Sequence, residues 1–304
     1  MAEARYPVAL SGARPAAPSW GRSFGPLLVV PAGILLVGLL AYPLGLGVWL
    51  GFKDAKIGSA GTFIGVENYQ YLLDDPVFRL TVVNTALYTV VTVILKLALG
   101  LGLALVLNQK FAGVRFWRSM LLLPYVVPTV LSAFAWWWIF DPQFSFISWT
   151  LVKLGLLQRN IDFLGDAWLA RMSLMIANIW RGIPFFTVGY LAGLQSISSD
   201  VYEAAQIDGS RGWQTFWGIT WPLLLPLTVI LTTFSAIFTF TDFQLVWTIT
   251  RGGPANATHL FVTLAYQRGI AGGAMGEGAA IAGFTLPFLG ILAFAALRAI
   301  RERE

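Results

Sequence analysis

Three ionisable side chains, Lys96, Arg181 and Asp242, stand inside long apolar stretches of this sequence. A charge carried into hydrocarbon is costly, so residues of this kind mark either a buried pair or a polar path. Asn178, Thr239 and Gln244 lie close to them along the chain and add uncharged donors and acceptors, while Trp137 and Trp180 offer ring faces. The expectation is that Asn178, Arg181, Asp242 and Gln244 contribute to a polar cavity at mid-membrane depth. Pairing of these groups with one another, or with a second subunit, is the competing assignment.

The residues also exclude several kinds of chemistry. There is no cysteine and one histidine, His259, which removes disulfides, thiolate nucleophiles and the usual Cys/His metal sites. None of Lys53, Lys56, Lys96, Lys110 or Lys153 follows a G-x-x-x-x-G-K-[ST] phosphate loop. No catalytic or metal site is expected, and without an acidic pair at a membrane boundary a membrane transferase is disfavoured. Of the 304 residues 57% are hydrophobic and 12% charged, about half the charged share of a soluble domain. The reading is an all-α integral membrane protein. Its 13 Trp, 9 Tyr and 22 Phe fit interfacial belts and packing. The net charge of +5 gathers near span ends, so membrane orientation accounts for it and nucleic acid is not an expected partner.

Six apolar runs can position the charged residues: Pro26–Phe52, Leu80–Asn108, Ser119–Phe140, Leu169–Gln195, Ile219–Trp247 and Glu277–Leu297. Each reaches the roughly 20 residues that cross a bilayer, and the first exceeds a signal-peptide core. The expected organisation is a flexible tail over 1–25, a membrane domain over 26–298 and a short tail over 299–304. The segment FIGVENYQYLLDDPVF mixes apolar and acidic residues as an interfacial helix does. An even number of spans puts both termini on one side, with Arg5, Arg14, Arg22, Lys110, Arg115, Arg118, Arg211, Arg298, Arg301 and Arg303. The opposite side holds Lys53, Lys56, Arg79, Lys153, Arg159, Arg171, Arg251 and Arg268 over a longer stretch. The denser basic side is assigned to the cytoplasm.

On that same side lies a polar island, SSDVYEAAQIDGSRGWQTFWGITWPLLLP. Asp200 and Glu203 have the spacing of a capping box, Gly209 suits a left-handed helix end, and Ser210 can cap a second short helix. Pro222 and Pro226 punctuate the start of the next span. A structured knob is more than a connector needs.

At Glu203, Ala204, Ala205, Asp208 and Gly209, followed by Ile219, Pro222, Leu223 and Pro226, the chain resembles the EAA loop of membrane subunits of bacterial binding-protein-dependent ABC importers. FIGVENYQYLL, LLLPYVVPTV, IWRGIPFF and TRGGPANAT extend the resemblance, in particular to carbohydrate-uptake permeases of the maltose and glycerol-phosphate type, over roughly residues 26–298. Ser210 departs from the more frequent Ala, His259 departs from an acidic or small residue, and the large extra periplasmic domain of some maltose-type subunits is absent. The resemblance implies a type I ABC importer permease with six spans and cytoplasmic termini, carrying a sugar or polyol across a bacterial inner membrane. It implies no catalysis or cofactor in this chain, with ATP and Mg held by a dimeric cytoplasmic ATPase that docks on the coupling loop 198–218. It also implies a second, homologous permease, an external solute-binding protein and surrounding lipid. A stand-alone ion-coupled transporter or facilitator, using Lys96, Arg181 and Asp242 as coupling charges, is the alternative. It leaves the knob unexplained.

Overall fold

The computed structural model describes residues 29–301; the tail expected over 1–25, and 302–304, lie outside it. Among the described residues there is no strand, only two isolated antiparallel bridges, Lys53 with Phe63 and Lys56 with Ser59. Among the described residues, those up to Gly47 belong to one compact unit and those from Val48 onward to another. The first helix, α1, runs over Val29–Leu50 and is apolar throughout.

In the second unit, α2 (Glu67–Asp74) is the short amphipathic helix expected from its mixed sequence. Asp75 ends it in an extended conformation and at once caps α3 (Pro76–Leu107), accepting from the Val77 N–H at 3.0 Å, with Pro76 at the first helical position. Pro there loses nothing, because the first N–H groups of a helix have no partner within it. Val114–Val126 and Thr129–Phe140 form α4 and α5, a pair bent by 92° where a single span over Ser119–Phe140 was expected. Val127 precedes Pro128 and is extended, at φ −66° and ψ 129°; the proline's ring disfavours the helical conformation of its predecessor.

Beyond α6 (Phe146–Lys153), the 30-residue α7 (Ala167–Ser196) starts at Asp166, whose carboxylate accepts from the N–H groups of Trp168 and Leu169. The knob helix α8 (Ser199–Ile207) follows. The second knob helix is not separate, as the sequence suggested, but is the first turn of α9 (Trp213–Phe240), a single 28-residue helix. A wide turn over Phe216–Thr220 joins the two parts. Pro222 lacks an N–H and crowds the carbonyl four residues back, and a widened turn accommodates that defect. The chain then breaks at Thr241, continues as α10 (Phe243–Ile249) and α11 (Phe261–Tyr266), and ends in α12 (Met275–Arg301), past the expected boundary at Leu297.

Among the described residues four helices, α1, α3, α9 and Met275–Ala295 of α12, are long and apolar enough to cross a membrane, or five if the bent pair α4 and α5 is one span. The α7 helix is as long but carries Arg171, Asn178 and Arg181, and is less apolar. It packs along α3, and α9 packs on both. Phe186, Tyr190 and Leu194 of α7 meet Val93 and Ala104 of α3 and Leu224 and Leu231 of α9 in one core cluster. A second cluster joins Leu72, Phe78, Phe240, Phe261, Ala280 and Ile281. Glu277, at the start of the last span, belongs to an ion cluster: Arg268 pairs with it at 3.3 Å and with Asp75.

The loop between α10 and α11 is built around His259, which is fully buried. Gly252 has φ +90°, and a Cβ there would sit 2.0 Å from the His259 ring, so the loop requires glycine on both counts. Asn84 Nδ2 and Arg171 Nε both donate to the Ala257 carbonyl, at 2.8 and 2.9 Å, fastening the loop to α3 and α7. Burial withholds water from the imidazole and pushes its pKa down to about 4, against about 6.5 in an unfolded chain. On acidification the unfolded chain therefore takes up the proton first. Stability contributed by this residue is complete above about pH 6.5 and falls progressively toward pH 4. Thermal unfolding in detergent is expected to show that loss, and His259→Gln to flatten it; an equally steep loss in the variant would contradict the assignment.

Candidate functional site

All four residues expected at a mid-membrane cavity line one cavity of about 740 Å³. They arrive by three routes. Asn178 and Arg181 lie three residues apart at the middle of α7 and so share a helix face. Asp242 occupies the break between α9 and α10, where its Oδ1 accepts from the Leu245 N–H at 3.3 Å. Gln244 follows in the first turn of α10. The α4/α5 bend supplies Tyr125 and Thr129, which the sequence did not single out for the site.

A continuous set of hydrogen bonds runs through the cavity wall. Lys96 of α3, 3% exposed, donates from Nζ to Asn178 Oδ1 at 2.9 Å and to Thr239 Oγ1 at 2.7 Å. Asn178 Nδ2 donates to Asp242 Oδ2 at 2.8 Å, and the Tyr88 hydroxyl donates to the same oxygen at 3.0 Å. Four elements, α3, α7, α9 and the start of α10, are thereby tied at one level. Pairing of the intramembrane charges is therefore partly realised: an ammonium and a carboxylate are joined through one amide. Arg181 stands apart, its Nε buried without a hydrogen-bond partner.

The rings were placed less well by the sequence. Trp137 and Trp180 do not line the cavity; Trp180 meets Trp136 edge-on at 5.6 Å. Phe185, Phe238, Phe243 and Tyr125 supply the aromatic wall instead, and Phe243 lies flat on Trp247, with ring centroids 5.6 Å apart and 13° between planes. Helical phase within α7 and α9 would have favoured Phe185, four residues from Arg181, and Phe238, four from Asp242, over Trp180 and Trp137.

At the other end of α7 stands the knob. Ser198, extended at φ −60° and ψ 141°, caps α8 by accepting from the Asp200 N–H. The capping box expected from Asp200 and Glu203 is therefore not formed. The helix starts two residues earlier, and Asp200 lies in its first turn, where a carboxylate favours the positive helix end. Glu203, Ala204 and Asp208 are exposed, Ala205 is buried, and Glu203 has no hydrogen bond or ion pair among the described residues. Gly209, at φ +82°, closes the helix: its N–H donates to Gln206 O at 3.1 Å and the Ser210 N–H to Ala205 O at 2.9 Å, the Schellman pattern. Ser210 is no cap either; its hydroxyl meets Thr215 Oγ1 at 3.0 Å, and Gly212 precedes the next helix. Ile207, 87% exposed, stands at the tip. The Tyr202 hydroxyl meets Thr220 Oγ1 at 3.2 Å, fixing α8 to α9.

The family model described as "Binding-protein-dependent transport system inner membrane component" matches residues 96–303, from the buried lysine through the knob to the end of the last helix. The chain belongs to that family. This permease is 32% identical over 244 residues to the trehalose/maltose transport system permease protein MalF of Thermococcus litoralis, covering 80% of this chain and 82% of the relative. It is 33% identical over 280 residues to the sulfoquinovosyl glycerol transport system permease protein SmoG of Agrobacterium fabrum, covering 91% and 90%. Among solved structures, a chain of a bacterial ABC transporter involved in import of the acidic polysaccharide alginate superposes with a TM-score of 0.79 at 22% identity, over 92% of this chain and 96% of that one. The permease thus shares its fold with an ABC importer, and it is a multi-pass membrane protein.

The wall of the cavity makes a stability prediction. Lys96→Met leaves Asn178 Oδ1 and Thr239 Oγ1 without their donor, and leaves the half-buried Asp242 without the cation joined to it through Asn178; leaving buried hydrogen-bonding groups unpaired costs about 1–3 kcal/mol. Unfolding temperature in detergent is expected to drop strongly. The double variant Lys96→Met with Asp242→Asn should recover most of the loss, since the charges fall together. Additive losses would show that the two residues are not coupled.

Proposed function

We propose that the permease is one half of the translocation pathway of an ATP-driven importer for a sugar or related polyol. The observation that carries this reading is the pairing, in one chain, of a polar cavity at the middle of α7 with an exposed, rigidly closed knob at the end of the same helix. Relatives named for trehalose and maltose, for sulfoquinovosyl glycerol and for sn-glycerol-3-phosphate support the cargo class. The architecture is read as six spans, counting α1, α3, the bent α4/α5, α7, α9 and α12, with both termini and the knob in the cytoplasm of a bacterial cell and the chain in its inner membrane.

The residues then divide the work. Glu203, Ala204, Ala205, Asp208 and Gly209 make the surface on which a cytoplasmic ATPase docks. Small side chains at 204 and 205 permit close approach, and exposed Asp200, Glu203 and Asp208 call for basic groups on the partner. ATP and Mg belong to that dimeric ATPase, and this chain itself holds no cofactor and performs no catalysis. Closure of the ATPase moves α8, and with it α7 and α9, which flank the cavity. Asn178, Arg181, Asp242 and Gln244 line the cargo path, completed by a second, homologous permease and fed by an external solute-binding protein. A stand-alone ion-coupled transporter is less well supported, because Lys96 and Asp242 are locked to each other through Asn178 and the knob would have no purpose.

Purification of the tagged chain from its native membrane is expected to bring an ATPase and a second permease with it. Within that complex, Glu203→Ala should lower binding-protein-stimulated ATP hydrolysis at least several-fold while membrane levels stay normal. Since Glu203 has no capping role in the fold, unchanged hydrolysis would remove it from the docking surface. Sugar uptake by the chain alone, without ATP, would overturn the reading.

A further inference from the structure

The charged groups that line the cavity are Lys96, Arg181 and Asp242. Two of them are already satisfied by the protein. The Lys96 ammonium is held by Asn178 and Thr239, and Asp242 receives Tyr88 and Asn178 on one oxygen and caps α10 with the other. Their opposite charges meet across a single amide group. Neither has the freedom to turn toward a ligand without breaking the tie between α3, α7 and α9.

Arg181 differs in every respect. It projects from the middle of α7, its Nε is buried without a partner, and none of the three salt bridges among the described residues involves it. The cavity thus carries one uncompensated positive charge at a depth where a lone charge is costly. A guanidinium presents a planar fork of donors that matches two oxygens of a carboxylate, phosphate or sulfonate. The surrounding wall suits the rest of a sugar: Gln244 and Ser235 offer hydrogen bonds, and Phe185 and Phe243 offer apolar surface. At about 740 Å³ the cavity lies within the usual range of small-molecule sites.

We propose that this cavity is built for a carbohydrate or polyol bearing an acidic group, which Arg181 receives in a bidentate contact. The inference rests on the reading of the cavity as the cargo path. Lys96, Asn178 and Asp242 are positioning residues in this scheme: they fix the wall, and both oxygens of Asp242 are engaged by Tyr88, Asn178 and the Leu245 N–H, so that the guanidinium stays available. The cargo's hydroxyls reach Gln244 and Ser235, and its acidic group supplies the one charge that the wall lacks.

The test uses the whole purified complex, with the second permease and a hydrolysis-blocked ATPase but without the solute-binding protein, whose own selectivity would mask the cavity. Equilibrium binding is measured for three matched pairs: glucose and glucuronate, maltose and maltobionate, glycerol and glycerol 3-phosphate. The acidic member of at least one pair is expected to bind about ten- to a hundredfold more tightly than its neutral partner, as a charge-assisted bidentate contact provides. Arg181→Gln should bring the two within about twofold, and Arg181→Lys should keep a reduced preference, which also shows that position 181 tolerates substitution. A wild-type complex that never prefers the acidic member overturns the proposal, as does a preference that survives Arg181→Gln. If the neutral sugars bind and the acidic ones gain nothing, an acid on the partner permease holds Arg181 and only the charge assignment falls. If no compound of any pair binds, the cargo-path reading falls as well.

Discussion

An ammonium group buried among apolar helices must be met by oxygen, and this constraint organises the permease. Lys96 finds Asn178 and Thr239, Asn178 in turn reaches Asp242, and Asp242 receives Tyr88. Because each residue comes from a different stretch of chain, satisfying one cation fixes the relative height of α3, α7 and α9. It also fixes the break at Thr241, since the carboxylate that completes the set is the same one that starts α10. Directional hydrogen bonds do here what apolar packing between membrane helices does poorly, namely choose one register among several of similar area.

The distance between this polar level and the knob is bridged by helix. From Asn178 to Ser196 α7 is unbroken, and α9 returns alongside it, with the Tyr190 hydroxyl donating to Thr228 Oγ1 at 3.1 Å midway. Where the two helices leave the core, Tyr202 and Thr220 hold α8 against α9. A force applied at Glu203 or Ile207 therefore has no flexible linker in which to dissipate before it reaches the cavity. A wide turn over Phe216–Thr220 lies on that route, and such turns within helices are frequently placed at functional positions.

Much of this was legible in the sequence because it depends on local chemistry. Glycine at 209 announced a left-handed helix end. Rare charges in apolar runs marked Lys96, Arg181 and Asp242, and all three face one cavity. What the sequence hid was nonlocal or a contest between similar local signals. Ser198 and Asp200 are both good caps, and only the backbone angles decide that Ser198 takes the role. An apolar run does not reveal that Val127 and Pro128 divide it at 92°, nor that the bend delivers Tyr125 and Thr129 to the cavity. Trp137 and Trp180 were attractive by type, but the cavity wall is chosen by helical phase, which brings Phe185 and Phe243 inward instead. Asn178 could be named from its neighbours; that its two ends would join a lysine to an aspartate could not.

The central claim is that the polar level set by Lys96 is where cargo crosses. Cryo-electron microscopy of the assembled importer, caught with its ATPase closed and its natural cargo present, tests this most directly. The account requires ligand density in the cavity, within hydrogen-bonding distance of Arg181 and Gln244, with the Lys96–Asn178–Asp242 connection intact. A cavity filled by side chains of the second permease, with cargo density elsewhere, would contradict it.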